Sequence, residues 1–447
     1  MSASVHDHIP LHAIPSTRDA QATLSPSVAE TLTPKESTVS AIQPEPMVTK
    51  EMIKYERTAF ATVCFTLFLN GWNDSSTGPL LPRMQETYGV GFAVVSLVFI
   101  SACCGFILAA LVNVHLSDRF GFGKIIVFAS LLQLAGYAIQ SAAPPFPVFV
   151  IAFSLNGFGF GILDAQSNGF VALLRDSGKG KMSLLHAAYG CGAFAAPLVA
   201  TQFFHMRRWS FHYLTSLALA VINLVALIIV FRFNTVEQAL AKTGVVTVSD
   251  ASNEGGKMKQ IMKVKAVHLL ALFIFVYVGV EVTIGGWIVT YSLLVRGGGP
   301  ASGYISSGFF GGLMLGRIVL IWVTRMIGER RVIYVYTALC IALEITIWFV
   351  PSLIENAIAV SFVGLFLGPI YPICMTVSSE VLPPWLLVGS IGWIAGIGQA
   401  GSAAFPFMTG AIASKTGVRA MQPLLVGMMG GMILLWLLVP RKVVKTQ

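Results

Sequence analysis

The sequence predicts an all-α, polytopic membrane protein: twelve transmembrane helices in two parallel six-helix repeats. Three observations predict this. The composition cannot cover a water-facing surface, twelve apolar runs have membrane length, and several features recur at an offset near 207 residues. Of 447 residues, 55% are hydrophobic and 11% charged, whereas an ordinary soluble domain carries about 25% charged residues. The mean hydropathy is +0.76. A net charge of +9 does not indicate nucleic acid, because a nucleic-acid binder needs its basic excess on a solvated face. Cys64, Cys103, Cys104, Cys191, Cys340 and Cys374 all lie in apolar runs and are not spaced as a secreted disulfide framework.

A bilayer core about 30 Å thick needs roughly 20 mostly apolar residues per helix. Residues 1–58 come first, a Ser-, Thr- and Pro-rich tail without the apolar core of a signal peptide, disordered by composition. Six runs follow at 59–80, 91–113, 124–143, 147–173, 183–204 and 211–232, forming a first half over 59–232. The polar connection 233–265, with Lys257, Lys259, Lys263 and Lys265, separates them from the rest. Its basic end suits either anionic lipid headgroups or plain solvation. The second half, 266–440, holds runs at 266–294, 303–323, 332–351, 355–379, 386–412 and 420–440, and residues 441–447 form a short tail. Long continuous runs exclude a β-barrel, whose strands alternate.

Basic residues orient the spans. With both termini on one side, that side takes 22 of the 29 Lys and Arg residues. The other side takes Arg83, Arg207, Arg208, Arg296, Lys415 and Arg419, and Arg317 lies within a span. The positive side faces the cytoplasm, so both termini are expected inside.

The repeat is carried by four matches. Asp74-Ser-Ser-Thr-Gly78 in the first span corresponds to Glu281-Val-Thr-Ile-Gly285 in the seventh, 207 residues on. Gly161-Ile-Leu-Asp164 corresponds to Gly368-Pro-Ile-Tyr371 at the same offset, and Gly121 to Gly328. Gly192-Ala-Phe-Ala-Ala-Pro197 corresponds to Gly401-Ser-Ala-Ala-Phe-Pro406 at 209. An even number of spans per copy gives both copies one orientation, related by an axis along the membrane normal, with a solute site between them.

Twelve spans, a long central loop and the loop Ser117-Asp118-Arg119-Phe120-Gly121-Phe122-Gly123-Lys124 resemble the major facilitator superfamily, with Val114 where its signature has a leading glycine. Asp164-Ala-Gln-Ser-Asn168 resembles the acid-x-x-x-Asn pattern of the fucose:proton symporter branch. Asn70-Gly-Trp-Asn-Asp74, Glu281-Val-Thr-Ile-Gly-Gly-Trp287 and Gly398-Gln-Ala-Gly-Ser402 resemble its fungal members. The resemblance implies a major facilitator fold, transport by alternating access, and a proton-coupling role for Asp164. The branch's first-span acid falls nearer Gly78, one turn from Asp74 on the same helix face.

An ionised side chain at mid-membrane costs about 2.5–3.5 kcal/mol on insertion scales, so a retained one faces protein or water. Asp74, Asp164, Glu281 and Glu344 fall inside spans. A desolvated carboxylate favours its neutral form and can exchange protons as water access alternates, so Asp164, Asp74 and Glu281 are candidate proton-coupling residues. Glu344, in a peripheral ninth span, suits a structural partner or a kink. Asn73, Gln166, Asn168 and Gln399 offer amides to solute hydroxyl or carbonyl groups. Trp287, Tyr371 and Trp393 suit ring stacking or helix packing. His186 and Tyr189 stand near the cytoplasmic mouth. Asp118, Arg119 and Arg325, with Arg330 nearby, resemble the superfamily's cytoplasmic latch, and Arg317 suits gate pairing or snorkelling.

Gly157-Phe-Gly159-Phe-Gly161 lies inside a span and reads as close helix packing, not a nucleotide loop. Gly178-Lys-Gly-Lys181 lacks the upstream glycine of a phosphate loop. No ATP site, metal cluster or nucleophile triad emerges, so no enzyme activity, cofactor or metal is expected. The expected function is proton-coupled movement of a small organic solute, sugar-like symport in the first instance. Proton-antiport efflux of a metabolite or toxin and a non-transporting solute sensor are the alternatives. The expected partners are solute, proton and lipid bilayer, with no nucleic acid. The chain is expected to act as a monomer, in the plasma membrane or, alternatively, the vacuolar membrane.

Overall fold

The computed structural model describes residues 49–175, 180–245 and 259–440. The tail residues 1–48, Gly178 and Lys179, the linker stretch 246–258 with Lys257, and the C-terminal residues 441–447 lie outside these. The described residues form helices and turns with no strand among them.

The first half contains span 1 (Lys50–Tyr88), span 2 (Phe92–Val95 and Leu97–Phe120) and span 3 (Phe122–Ser141). Span 4 (Phe146–Ala172), span 5 (Met182–Phe204) and span 6 (Trp209–Phe231) complete it. The second half contains span 7 (Lys265–Val295), span 8 (Tyr304–Val319 and Ile321–Ile327), and span 9 (Glu329–Phe349). Span 10 (Leu353–Leu367 and Ile370–Val381), span 11 (Pro384–Thr416) and span 12 (Met421–Leu438) follow. Span 8 bends by 56° at its break, and span 10 breaks at Gly368-Pro369, where proline withholds a backbone donor.

Among the described residues, nine helices are long and apolar enough to cross a membrane, and the bent span 8 makes a tenth. Span 11, with 33 residues, and span 1, with 39, are not among them. In span 1 the cause is polar: Asn70, Asn73, Asp74, Ser75, Ser76 and Thr77 lower its apolarity, and most of its stretch from Ala59 to Met84 is buried among other helices. It also begins nine residues before the expected start at residue 59. Thr49 caps it, its hydroxyl accepting from the Met52 amide.

The 207-residue offset recurs in the packing. A Cβ on Gly105 would lie 2.0 Å from the Ser154 carbonyl oxygen, and one on Gly312 2.0 Å from that of Ser361. Gly157 meets Ala102 as Gly364 meets Phe309, and Gly192 meets Phe68 as Gly401 meets Phe275. Backbones this close require glycine, so spans 2 and 4 pack as spans 8 and 10 do, and spans 1 and 5 as spans 7 and 11 do. Gly121 and Gly328 share the left-handed φ values of 82° and 89° that turn the chain between spans 2–3 and 8–9.

Lys50 begins span 1 and Leu438 ends span 12 on one face, here the tail face. On it, Lys181 pairs with Glu56, the Gly123 amide donates to the Asn234 carbonyl at 2.8 Å, and Arg330 Nη2 donates to the Pro440 carbonyl at 2.7 Å. The linker begins as a capped helix, Val236–Ala241, whose Leu240 is buried in the core of the first half. Arg175 Nη2 fixes its end through the Gly244 carbonyl at 2.8 Å. Ile261 and Val264, at the other end of the linker, are buried in the core of the second half.

The halves meet at the opposite, loop face. Gly78 abuts the Gly285 carbonyl, and these two are repeat mates. Phe92 packs on Trp287, the Ala93 amide donates to Ser414 Oγ at 3.0 Å, and Gln202 bonds Tyr304. Towards mid-membrane, Cys103 Sγ reaches the Gln399 carbonyl at 3.6 Å, and Gly190 meets Met314. At the tail face Asp118, Arg119 and Arg325 are exposed.

Candidate functional site

The site is built outward from the polar stretch of span 1. In a helix, residues 72 and 76 share a face, and residue 74, 200° round from 72, lies opposite. Span 1 turns the first face to span 6: Trp72 Nε1 donates to Ser216 Oγ at 2.9 Å, and Ser76 Oγ lies 2.9 Å from His212 Nε2. Span 3 holds two further positions. Gln133 Nε2 donates to Asn70 Oδ1 at 3.2 Å, and the Tyr137 hydroxyl to Asn73 Oδ1 at 3.1 Å.

Asp74 is thereby aimed inward. It is exposed although Trp72, Ser75 and Ser76 are buried, and the Tyr189 hydroxyl donates to its Oδ2 at 2.7 Å. Gly71 makes that reach possible: its missing Cβ would lie 2.0 Å from the Tyr189 carbonyl oxygen, so span 5 passes against span 1. Glu281, the repeat mate of Asp74, enters from span 7. It interacts with the Arg317 guanidinium of span 8 and the Tyr277 hydroxyl one turn below it. Arg317 Nε also donates to the Gly368 carbonyl at 3.3 Å, at the break in span 10.

Asp74 interacts electrostatically with Glu281 and with Asp164 of span 4. Tyr371, just beyond the span 10 break, faces Asp164, Glu281 and Arg317 and tilts against Tyr277 with ring centroids 6.1 Å apart. Three carboxyl groups therefore share one space with one guanidinium and a set of tyrosine hydroxyls. His186 of span 5 is exposed and feels Arg317. Chemically, this arrangement can hold protons and offers both donors and acceptors to a polar solute.

The structure brings Asp74, Asp164, Glu281, Asn73 and Tyr371 together from the residues singled out in sequence. Arg317 joins them, its guanidinium interacting with Glu281 and Tyr277, one turn before the break in span 8. Several expected solute contacts are spent elsewhere. Asn168 donates to Asp164, to its carbonyl at 2.9 Å and to its carboxyl, and Gln166 Nε2 ties span 4 to Asn113 of span 2 at 2.8 Å. Gln399 bonds Ser402 at 3.2 Å within its own helix, and Trp393 is partly buried with Nε1 unpartnered.

Trp287 is a correction. It is fully buried, donates to the Pro406 carbonyl at 3.1 Å and packs on Phe92, so it seals the loop face and meets no solute there. The latch is likewise unmade in this conformation. Asp118 and Arg325 are exposed, and Arg119 lies over the Phe120 ring at 5.5 Å. Glu344 is buried beside Gln422 between spans 9 and 12, away from the central space. Tyr277 was missed in the sequence, although its spacing of four residues before Glu281 puts both on one helix face. Tyr189 stands at the centre and not at the mouth.

Comparison with known proteins agrees with the fold. The model of the Major Facilitator Superfamily matches residues 63–384. The chain is 30% identical over 407 residues to Bypass of stop codon protein 6 of Saccharomyces cerevisiae, covering 85% of this chain and 81% of that one. It is 23% identical over 316 residues to the glucose/mannose transporter GlcP of Bacillus subtilis, covering 70% and 77%. Among solved structures, a D-xylose-proton symporter superposes with a TM-score of 0.72 at 14% identity, over 87% of this chain and 100% of that chain.

Proposed function

The chain belongs to the Major Facilitator Superfamily, and from that premise we propose that it carries a small sugar-like solute together with protons by alternating access. One observation carries the reading. Asp74, Asp164 and Glu281 converge from spans 1, 4 and 7 on one space, where Arg317 is the cationic neighbour of Glu281 and Tyr189 already donates to Asp74. The kinship with a glucose/mannose transporter supports the solute class.

Charge balance sets when the site can close. Closing the tail face around this space removes water from three like-charged groups, and burying an unpaired charge costs several kcal/mol. Arg317 offsets one carboxylate. Protons on the others remove the remaining cost, so the loaded and protonated site closes while the unprotonated one stays open. Solute hydroxyls supply hydrogen bonds that replace water on Asp74, Asn73 and Tyr371. On this reading the tail face, with most of the basic residues, is cytoplasmic, and the chain works as a monomer in the plasma membrane.

The test is uptake of D-glucose, D-mannose and D-xylose into sealed vesicles under an imposed pH gradient of either sign. Accumulation driven by the gradient supports the reading. Gradient-driven extrusion would make the chain an exporter, and binding without flux under any gradient would make it a sensor.

A further inference from the structure

His212 is fully buried at the start of span 6, where no solute in the central space can touch it. Its ring stacks on Trp72 with centroids 5.8 Å apart and planes 5° from parallel, and Phe203 meets it edge-on at 5.9 Å. Its Nε2 lies 2.9 Å from Ser76 Oγ, and its Nδ1 has no partner. The tautomer follows from Ser76. The Ser76 hydroxyl donates its one proton to the Trp72 carbonyl at 2.6 Å, so in the bond with His212 it can only accept. His212 must therefore carry its proton on Nε2.

The two helices interlock at matched spacing. Trp72 and Ser76 on span 1 meet Ser216 and His212 on span 6, four residues apart on each side. This fixes how span 1 is turned about its own axis at the level of Asp74, which stands on the opposite face between the two anchors. Tyr137 closes the third side through Asn73. We propose that His212, as an Nε2–H donor to Ser76, is a positioning residue that sets the rotation of span 1 and so the pose of the Asp74 carboxyl against Tyr189. The proposal rests on the reading of Asp74 as a proton-carrying group, and it adds that this group is aimed from behind by a residue outside the solute path.

The test uses the full chain in native-like membranes and needs no solute. A hydrophobic carbodiimide labels protonated carboxyls in apolar surroundings, and peptide mass spectrometry separates labelling at Asp74 from labelling at Asp164. His212→Gln keeps an amide donor where Nε2 stood, whereas His212→Asn places its amide where Nδ1 stood and leaves Ser76 without a donor. The expected result is a pH profile of Asp74 labelling that His212→Gln preserves and His212→Asn displaces, with the Asp164 profile unchanged in both. Adding Ser76→Ala to His212→Asn should displace the Asp74 profile no further. An Asp74 profile unchanged in His212→Asn would overturn the proposal, as would parallel changes at Asp74 and Asp164, which report a loosened fold. Because labelling needs no transport, failure here and failure of the transport reading are separate outcomes.

Discussion

At the scale of single residues, the central space is a problem of like charges solved by neighbours. Asp74 and Asp164 have no cation against them comparable to the one facing Glu281. Replacement of either by Asn is expected to abolish proton-driven accumulation in vesicles while leaving the protein in the membrane. Tyr189→Phe removes one hydrogen bond to a charged group, typically worth about 1.5–3 kcal/mol, so initial uptake should fall by roughly 10- to 150-fold at unchanged expression. Arg317→Ala leaves Glu281 without its counter-charge. It should lower the thermal unfolding midpoint in detergent, and adding Glu281→Gln should restore that midpoint. A double variant as unstable as Arg317→Ala alone would contradict the pairing. The acids were legible because 11% charge makes any intramembrane carboxylate conspicuous. The tyrosines that serve them were not, because an aromatic in an apolar run looks the same whether it packs or donates a hydrogen bond.

At the scale of helices, glycine decides which spans touch. Gly192 lies where an added Cβ would stand 1.9 Å from the Phe68 carbonyl oxygen, whereas Gly169 has nothing within 4 Å. Gly192→Ala should therefore destabilise by about 1–3 kcal/mol, as overpacking does, lowering the unfolding midpoint. Gly169→Ala should be neutral within error in the same assay. The internal repeat was readable from a few matched glycines and acids. The packing repeats with them, because the same small residues set the same crossings in both copies. What the sequence could not convey was the direction each polar side chain takes. Asn168 and Gln166 turn to helix partners, and Trp287 is buried at a seam.

For the molecule as a whole, Gly78 and Gly285 form the point where the two halves lean on each other at the loop face. Gly78→Val places side-chain atoms into that backbone contact and should bias the bundle away from closure there. Cys103, buried near the same seam with its Sγ at the Gln399 carbonyl, then becomes the reporter. Alkylation by a membrane-impermeant maleimide applied at the loop face should quicken several-fold in Gly78→Val. An unchanged rate would mean that the seam does not open by parting spans 1 and 7. On the proposed alternating access, the exposed Asp118, Arg119 and Arg325 at the tail face would pair only when the halves approach there.

The sequence by itself determined that the chain lives in lipid, that its helices come in two related sets of six, and that a few acids must face something other than hydrocarbon. These follow from composition, run length and periodicity, which act locally along the chain. Only the tertiary structure decided that Arg317 belongs with Glu281, that Tyr189 reaches Asp74 past Gly71, and that His212 braces span 1 from behind. Those relations join residues 36, 115 and 136 positions apart. Their partners are fixed by how closely backbones can approach and how each helix is turned, quantities that no window along the chain contains.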